Sequence, residues 1–327
     1  MICIKFGGHA LECNDARLAP RYVIALVLAK NLAGASPLVM WSIYLNVVVQ
    51  GVLTGLVYGL MALGLSVIFG VVRVVNFAHG EFAVVAMYTT FVLFKTSGID
   101  PLLLLLPIAA AFFVAGFILQ TVLINAFVER PEHDQFILLV GLAIIIANVL
   151  LMAFGPDAQP TNLSYAFDSY LIGPLIIDKV RIYSAVGALL IASGLFAFFR
   201  FTRLGNAIRA CADNLVGAAV VGLDVKRLYA LTFGLGLACV GAAGTLMVTI
   251  ADAAPSLGPA YTLLAFIIVI VGGLGSMAGA LVGGVMIGVS EALAGFLIEP
   301  SMKSMFSFAL LILVLVLRPQ GLLGRRA

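Results

Sequence analysis

Residues 51–82 read GVLTGLVYGLMALGLSVIFGVVRVVNFAHGEF, and this stretch decides the fold class of the 327-residue chain. It begins with an apolar run long enough for a helix that crosses a bilayer, for which about 20 residues suffice. Glycines recur at every fourth position, at Gly51, Gly55 and Gly59. Small residues at this spacing let a second helix approach backbone to backbone. The stretch therefore predicts a transmembrane helix with a close helical neighbour.

The apolar run ends in the polar segment NFAHGE, which places Asn76, His79 and Glu81 between two apolar stretches. A charged group inside a bilayer costs roughly 2.5–3.5 kcal/mol on insertion scales, and such groups usually face a protein interior or a water-filled path. Two interpretations remain open. Either the segment is a short loop at the membrane surface, or it interrupts a discontinuous helix that lines a transport path. The second makes Asn76, His79 and Glu81 candidates for the substrate path.

The composition excludes a soluble globular enzyme. Hydrophobic residues make up 63% of the chain and charged residues only 10%, whereas soluble domains carry about 25% charged residues. The net charge of +3 is small, which argues against nucleic-acid binding. The cysteines show no metal-ligand spacing and imply no disulfide framework; they are Cys3, Cys13, Cys211 and Cys239. No metal site and no cofactor are predicted.

Hydropathy predicts an all-α polytopic membrane protein with eight to ten transmembrane helices, some of them broken. The predicted spans cover residues 43–75, 82–95, 102–127, 136–154, 182–199, 228–250, 261–274, 277–296 and 306–317. The number stays open for two reasons. Residues 43–75 have room for two short spans, and the GGLG sequence at 272–275 is consistent with a break inside one span.

The basic residues orient these spans. Ten lie on the side of the loop at 200–227, namely Arg73, Arg130, Arg200, Arg203, Arg209, Lys226, Arg227, Arg318, Arg325 and Arg326. Only Lys95, Lys179, Arg181 and Lys303 lie on the other side. Because cytoplasmic loops carry the excess of lysine and arginine, the first side is predicted to be cytoplasmic. The long loop at 156–180 is then periplasmic, where it is available to a soluble partner.

Residues 1–39 do not match the rest of the chain, because their longest apolar run is too short to span a membrane. We expect an N-terminal extension, either disordered or arising from an upstream start codon. The alternative is a signal peptide with a cleavage site at Ala33-Gly34-Ala35. Residues 40–327 are predicted to form a single transmembrane domain.

The loop FTRLGNAIRACADNLVGAAVVGLDVKR, residues 201–227, contains the signals of a short helix over residues 215–221. Asp213 and Asn214 are candidate N-caps because their side chains accept hydrogen bonds from free backbone N–H groups. Gly222 can end the helix in a left-handed conformation, and Asp224 can cap the next transmembrane helix. We interpret the element as a cytoplasmic helix that docks into a groove on a soluble partner. The alternative is a solvated interfacial loop.

Near the C-terminus, glycines again recur every fourth residue and predict further close helix packing; they are Gly275, Gly279 and Gly283, with Gly284 and Gly288. Glu291 follows within the same apolar span. It is a second candidate acid for a substrate path, unless it lies near the outer surface.

No catalytic constellation can be assembled. The chain has no P-loop, no nucleophile elbow and no HExxH motif. We therefore expect no enzymatic activity, and any ATP hydrolysis must come from another chain. A proton-driven carrier would need acids inside the membrane, and only Glu81 and Glu291 qualify.

Four segments resemble the permease subunits of high-affinity branched-chain amino-acid ABC importers. They are GLVYGLMALGLSVIFGVVRVVNFAHGEF, TRLGNAIRACADNLVGAAVVGLDVKRL, VGGLGSMAGALVGGVMIGVSEAL and LRPQGLLG, found in the family's order between residues 41 and 326. The resemblance implies a multi-pass inner-membrane permease for branched-chain or other small hydrophobic amino acids. It also implies a second, homologous permease, two cytoplasmic ATPases and a periplasmic binding protein as partners.

The resemblance places Asn76, His79 and Glu81 on the family motif. It assigns the loop after residue 200 to ATPase coupling, with Arg209, Asp213, Leu215, Ala219, Gly222 and Asp224 as candidate residues. Two residues separate Ala218-Ala219 from Gly222, whereas the broader ABC permease pattern has three. The docking geometry of that pattern therefore cannot be applied residue by residue to this chain. Urea, short amides and aromatic acids are alternative substrates of the family. A stand-alone secondary transporter or channel, and a membrane-embedded enzyme, are the alternative classes.

Overall fold

The computed structural model describes residues 37–128, 130–166, 168–173, 175–299 and 302–324. The residues from Asn46 onward form one compact unit. Residues 1–36 of the predicted N-terminal extension, and the basic residues Arg325 and Arg326, lie outside the described ranges.

The described residues form eleven α-helices and one antiparallel β-hairpin. The helices are α1 (Pro37–Val72), α2 (His79–Ser97), α3 (Pro101–Val122), α4 (Glu132–Phe154), α5 (Lys179–Phe201), α6 (Arg203–Asp213), α7 (Leu215–Val220), α8 (Val225–Met247), α9 (Gly258–Gly272), α10 (Met277–Leu297) and α11 (Lys303–Leu317). The hairpin pairs β1 (Ser169–Ile172) with β2 (Leu175–Asp178) in the loop before α5.

The predicted all-α membrane fold is confirmed. In the described part of the chain, seven helices are long and apolar enough to cross a membrane: α1, α3, α4, α5, α8, α9 and α10. Helix α2 carries Glu81 and Lys95, and the apolar helix α11 is shorter at 15 residues. The first predicted span is one continuous helix rather than two short ones. The GGLG sequence separates α9 from α10.

Local signals set where the helices end. Gly98 closes α2 with a φ of 69°, a left-handed conformation that glycine adopts without steric cost. Two residues later, the Asp100 carboxylate accepts a hydrogen bond from the Leu102 N–H at 2.8 Å, with Pro101 at the first helical position of α3. These signals join α2 to α3 by a very short connection.

Helix α8 lies at the centre of the fold, packed against α1, α2, α3 and α5. Its glycines allow the close approach. The Gly236 Cα position lies against Gly64 of α1, where an added Cβ on Gly64 would be 2.5 Å from the Gly236 carbonyl oxygen. On another face, a Cβ on Gly244 would be 2.5 Å from the Ala83 carbonyl oxygen of α2. Neither Gly236 nor Gly244 was among the glycines predicted to pack closely.

Helix α10 presents two glycine faces to two neighbours. One face meets α1, where a Cβ on Gly51 would lie 2.8 Å from the Cα of Val289. The other meets α9, where Gly279 packs against the backbone of Gly272. Gly283 lies on that second face, against the Ile268 carbonyl oxygen. Close helix packing at both glycine runs is thus an intramolecular feature of this chain.

Two more of the singled-out glycines have separate places. Gly59 faces α10, where an added Cβ would lie 3.1 Å from the Cα of Leu281. Gly275 lies in the turn between α9 and α10 with a φ of 76°, so its left-handed backbone explains the residue better than helix packing does.

Candidate functional site

The NFAHGE segment lies in the protein interior. The His79 Nε2–H donates a hydrogen bond to the Met61 carbonyl oxygen at 2.9 Å. Met61 is eleven residues before the end of α1 at Val72, which corresponds to about 16 Å of helix. The six residues 73–78 span about 20 Å when extended. The chain therefore turns back alongside α1, and α2 begins deep inside the protein.

Burial bears on the two interpretations of this segment. Asn76 and His79 are 0% exposed and Glu81 is 4% exposed. The segment is therefore enclosed by protein and is not a solvent-exposed loop; its place on a substrate path stays a prediction. The break between α1 and α2 is internal, as a discontinuous helix requires, and irregular backbone at such depth is tolerated where protein surrounds it.

Thr262 of α9 holds the start of α2. Its hydroxyl accepts a hydrogen bond from the Gly80 N–H at 2.8 Å and lies 3.1 Å from Oε2 of Glu81, to which it can donate. Gly80 has no room for a side chain, because a Cβ there would collide with the Gly258 carbonyl oxygen. The Asn76 side chain accepts from the Ala78 N–H at 3.1 Å. These contacts give the motif a structural role, and its role in a substrate path remains a prediction.

Glu291 occupies a different environment. It is half-buried on α10, and the Ser307 hydroxyl of α11 donates to its Oε1 at 3.0 Å. Tyr58 of α1 and Tyr261 of α9 lie within electrostatic range of this carboxylate. Glu291 thus belongs to a polar cluster between α1, α9, α10 and α11, and not to the hydrogen bonds around Thr262.

A cavity of about 1060 Å³ lies on the predicted cytoplasmic side. Its polar lining comprises Ser66, Arg73, Gln135, Arg209, Asp213 and Ser276. Its apolar lining includes Val67, Phe69, Val71, Val75, Phe77, Phe136, Phe199, Ala212, Leu274, Met277 and Leu323. Asn76, His79 and Glu81 are absent from this lining, although their neighbours Val75 and Phe77 contribute to it.

Arg73, on the wall of this cavity, is the one non-glycine residue of the described ranges with a positive φ, at 58°. Its N–H donates to the Phe69 carbonyl oxygen at 3.1 Å. A left-handed conformation costs a residue with a Cβ about 1–2 kcal/mol. Such conformations persist when the surrounding structure imposes them, and they cluster at functional sites.

Helix α6 was not predicted. The Thr202 hydroxyl caps it by accepting from the Gly205 N–H at 2.9 Å, and its buried residues Gly205, Ile208 and Cys211 recur every third position. That spacing and the threonine cap are the signals that could have revealed it. Asp213 is the last residue of α6, so its predicted role as an N-cap is wrong. Burial raises the pKa of the Cys211 thiol, in keeping with a packing residue.

Helix α7 begins at the predicted residue and ends one residue earlier than predicted. The Asn214 side chain accepts from the Gly217 N–H at 2.8 Å, and Gly222 follows the helix with a φ of 84°. The Asp224 side chain then accepts from the Arg227 N–H at 3.1 Å at the start of α8. The predicted short helix is therefore present between α6 and α8, one residue shorter than expected.

Helix α7 leaves an apolar surface uncovered. Val216, Val220 and Val221 are 74%, 81% and 76% exposed, and Leu215 and Ala219 are exposed beside them. We call these five residues the α7 surface. Ala218 points inward and is buried. Arg209, a predicted coupling residue, lies on α6, where it lines the cavity and donates to the Asn206 side chain.

The predicted periplasmic loop is ordered by contacts to its surroundings. The Tyr165 hydroxyl donates to Asp100 Oδ2 at 2.7 Å, and burial together with this hydrogen bond raises the pKa of Tyr165. Lys179 pairs with Asp168 at 2.8 Å beside the hairpin. The hairpin itself was not predicted, since hydropathy carries no signal for two four-residue strands.

A family model described as "Branched-chain amino acid transport system / permease component" matches residues 47–315. The permease protein BraD of Pseudomonas aeruginosa is 32% identical over 295 residues, which cover 86% of this chain and 96% of BraD. The permease protein LivH of Escherichia coli is 31% identical over 304 residues, with the same coverage of 86% and 96%.

A second kind of relative is more distant. The permease protein LivM of Escherichia coli is 27% identical over 295 residues, which cover 82% of this chain and 68% of LivM. BraD, LivH and LivM are all described as permease proteins of high-affinity branched-chain amino acid transport systems. No solved structure matches the chain.

Proposed function

This chain belongs to the family of branched-chain amino acid transport permeases, and on that premise we propose that it is the membrane-spanning subunit of an ABC importer in the bacterial inner membrane. Its substrates are branched-chain or other small hydrophobic amino acids. The family match over residues 47–315 and the seven apolar helices support this proposal.

The importer contains a second permease in this proposal. Escherichia coli has both a LivH and a LivM permease protein for high-affinity branched-chain amino acid transport, and both are similar to this chain. The higher identity to LivH favours a LivH-like position for this chain and a LivM-like chain as its partner. The permease path then runs between two homologous subunits.

The α7 surface is the observation that carries the proposed coupling to an ATPase. A helix of six residues, capped by Asn214 at its start and followed by Gly222, presents Val216, Val220 and Val221 to the predicted cytoplasmic side. Exposed apolar clusters of this kind mark sites of protein association. A soluble ATPase is the partner that an importer without its own P-loop requires, so we assign the α7 surface to it.

The linkage around α7 explains how such docking would move the permease. Asn214 alone separates α7 from α6, and residues 221–224 join it to α8. Helix α6 forms part of the cavity wall, while α8 packs against α1, α2 and α3 at the centre of the fold. A displacement of α7 on ATP binding is therefore transmitted to both the cavity and the core.

The proposal is tested by uptake in proteoliposomes that hold this permease, a LivM-like permease and the two ATPases, with binding protein outside. Uptake of labelled leucine is expected only when ATP is enclosed and the ATPases carry intact P-loops. Leucine uptake that persists without the ATPases, or that follows a proton gradient, would instead identify a stand-alone secondary transporter.

A further inference from the structure

We propose that the cavity on the cytoplasmic side binds the transported class of ligand, a hydrophobic α-amino acid in its zwitterionic form, and that its occupancy slows import. This inference rests on the proposed function. It concerns a separate event, the rebinding of amino acid that has already reached the cytoplasm.

The lining matches the three parts of such a ligand. Arg73 and Arg209 both line the cavity, and a guanidinium group binds a carboxylate through paired hydrogen bonds. Asp213 also lines the cavity; it has a contact of its own, but a carboxylate has lone pairs for several donors and can accept from an ammonium group beside that contact. Phe77 and Phe136 offer an apolar wall for the side chain. The volume of about 1060 Å³ accommodates the ligand together with water.

The backbone of Arg73 provides an independent observation. Glycine or asparagine would adopt the φ of 58° at lower cost, yet this cavity wall carries arginine there. The left-handed turn directly follows α1 and begins the segment that folds back toward His79. Arginine at this position places a positive charge at the cavity although its backbone conformation is unfavourable. The binding of a negatively charged ligand group would explain why arginine, and not glycine or asparagine, stands there.

The positions of the two arginines explain how a ligand bound in the cavity would slow import. Arg73 follows α1, whereas Arg209 belongs to α6, the helix joined to α7 through Asn214. In this proposal the ligand carboxylate contacts both arginines and so links α6 to the end of α1. Another lining residue, Leu323, is held to α9, since its N–H donates to the Gly272 carbonyl oxygen at 2.9 Å. A tied α6 resists the displacement of α7 that import requires.

The first test measures binding directly. The detergent-solubilised complex of both permeases and ATPases, without binding protein, is dialysed against labelled leucine. Arg73→Asn removes the charge while tolerating the left-handed backbone, and we expect leucine affinity to fall by about 10–100-fold, as for a lost charge-assisted hydrogen bond. Arg203→Asn is the matched control, because Arg203 is an exposed residue of α6 that does not line the cavity.

The second test measures import. Proteoliposomes are loaded with ATP and with or without leucine, and the ratio of the two initial uptake rates is taken for each variant. We expect enclosed leucine to lower this ratio severalfold in the wild type and in Arg203→Asn, and to leave it near one in Arg73→Asn. Using a ratio removes any effect of the substitution on the uptake rate itself.

The outcomes separate this inference from the proposed function. Absence of ATP-driven uptake in the wild type contradicts the proposed function. Uptake that is present but insensitive to enclosed leucine, or leucine binding that Arg73→Asn leaves unchanged, overturns the cavity site alone. Thermal unfolding of Arg73→Asn at or above the wild-type temperature shows that a lost response does not reflect misfolding.

Discussion

Gly55 of α1 and Gly284 of α10 touch backbone to backbone: a Cβ on Gly55 would lie 2.6 Å from the Gly284 carbonyl oxygen. Their helices run antiparallel, because Gly51 meets Val289 while Gly59 meets Leu281. The contact joins the first membrane helix to one near the end of the chain. It therefore holds these two helices together, and neither Gly55 nor Gly284 has space for a side chain.

Gly55→Leu is expected to destabilise the permease by more than the 1–3 kcal/mol of ordinary overpacking, because the obstacle is backbone rather than a movable side chain. Gly279→Leu should act in the same way at the α9 interface, where it would meet Gly272. Thermal unfolding in detergent measures both. Gly194→Leu is the matched control, since nothing lies within 4 Å of its Cβ position. Equal stability of all three variants would make the glycine contacts incidental.

Thr262→Val is expected to destabilise the start of α2. The substitution keeps the side-chain shape but leaves the Gly80 N–H and the Glu81 carboxylate without the Thr262 hydroxyl, and each lost buried partner costs about 1–3 kcal/mol. Thr262→Ser keeps the hydroxyl and should stay close to the wild type. The measurement is thermal unfolding combined with protease accessibility of the segment at 73–78. If valine and serine behave alike, the hydroxyl does not hold this segment.

Asp100→Ala should cost more than Tyr165→Phe. Alanine removes both the N-cap of α3, worth about 1 kcal/mol, and the hydrogen bond from Tyr165, whereas phenylalanine removes only the latter. A double-mutant cycle on unfolding temperature separates the two contributions. We expect the double variant to resemble Asp100→Ala, since the Tyr165 hydroxyl then has no Asp100 to donate to. Fully additive losses would show that the two side chains act independently.

Features that depend on neighbouring residues could be predicted from the sequence, whereas features that depend on distant residues could not. The apolar spans and the Asn214 and Gly222 signals of α7 depend on a few neighbouring residues, and the structure has them near their predicted positions. Helix α6 was missed because Gly205 and Asn206 are weak helix formers, and tertiary packing of Ile208 and Cys211 outweighs that preference. Because α6 was not expected, Asp213 was predicted to cap α7, whereas it is the last residue of α6.

The return of the chain along α1 was beyond sequence reasoning for a different reason. The His79–Met61 and Gly80–Thr262 hydrogen bonds join residues that are 18 and 182 positions apart. No local pattern encodes such a pair. The sequence correctly marked Asn76, His79 and Glu81 as unusual for a membrane segment, but their partners follow only from the packing of α1, α2 and α9. The same holds for the cavity, whose arginines come from elements far apart in the chain.

The central claim, that the α7 surface docks on an ATPase, is tested most directly by Ala219→Asp in a complex purified through a tag on this permease. Ala219 is exposed beside Val216 and Val220, so the aspartate leaves the fold undisturbed but places a charge where the partner's groove must exclude water. We predict that the ATPase no longer co-purifies and that leucine uptake falls at least tenfold, while Ala219→Ser retains both. Full co-purification and uptake with Ala219→Asp would contradict the account.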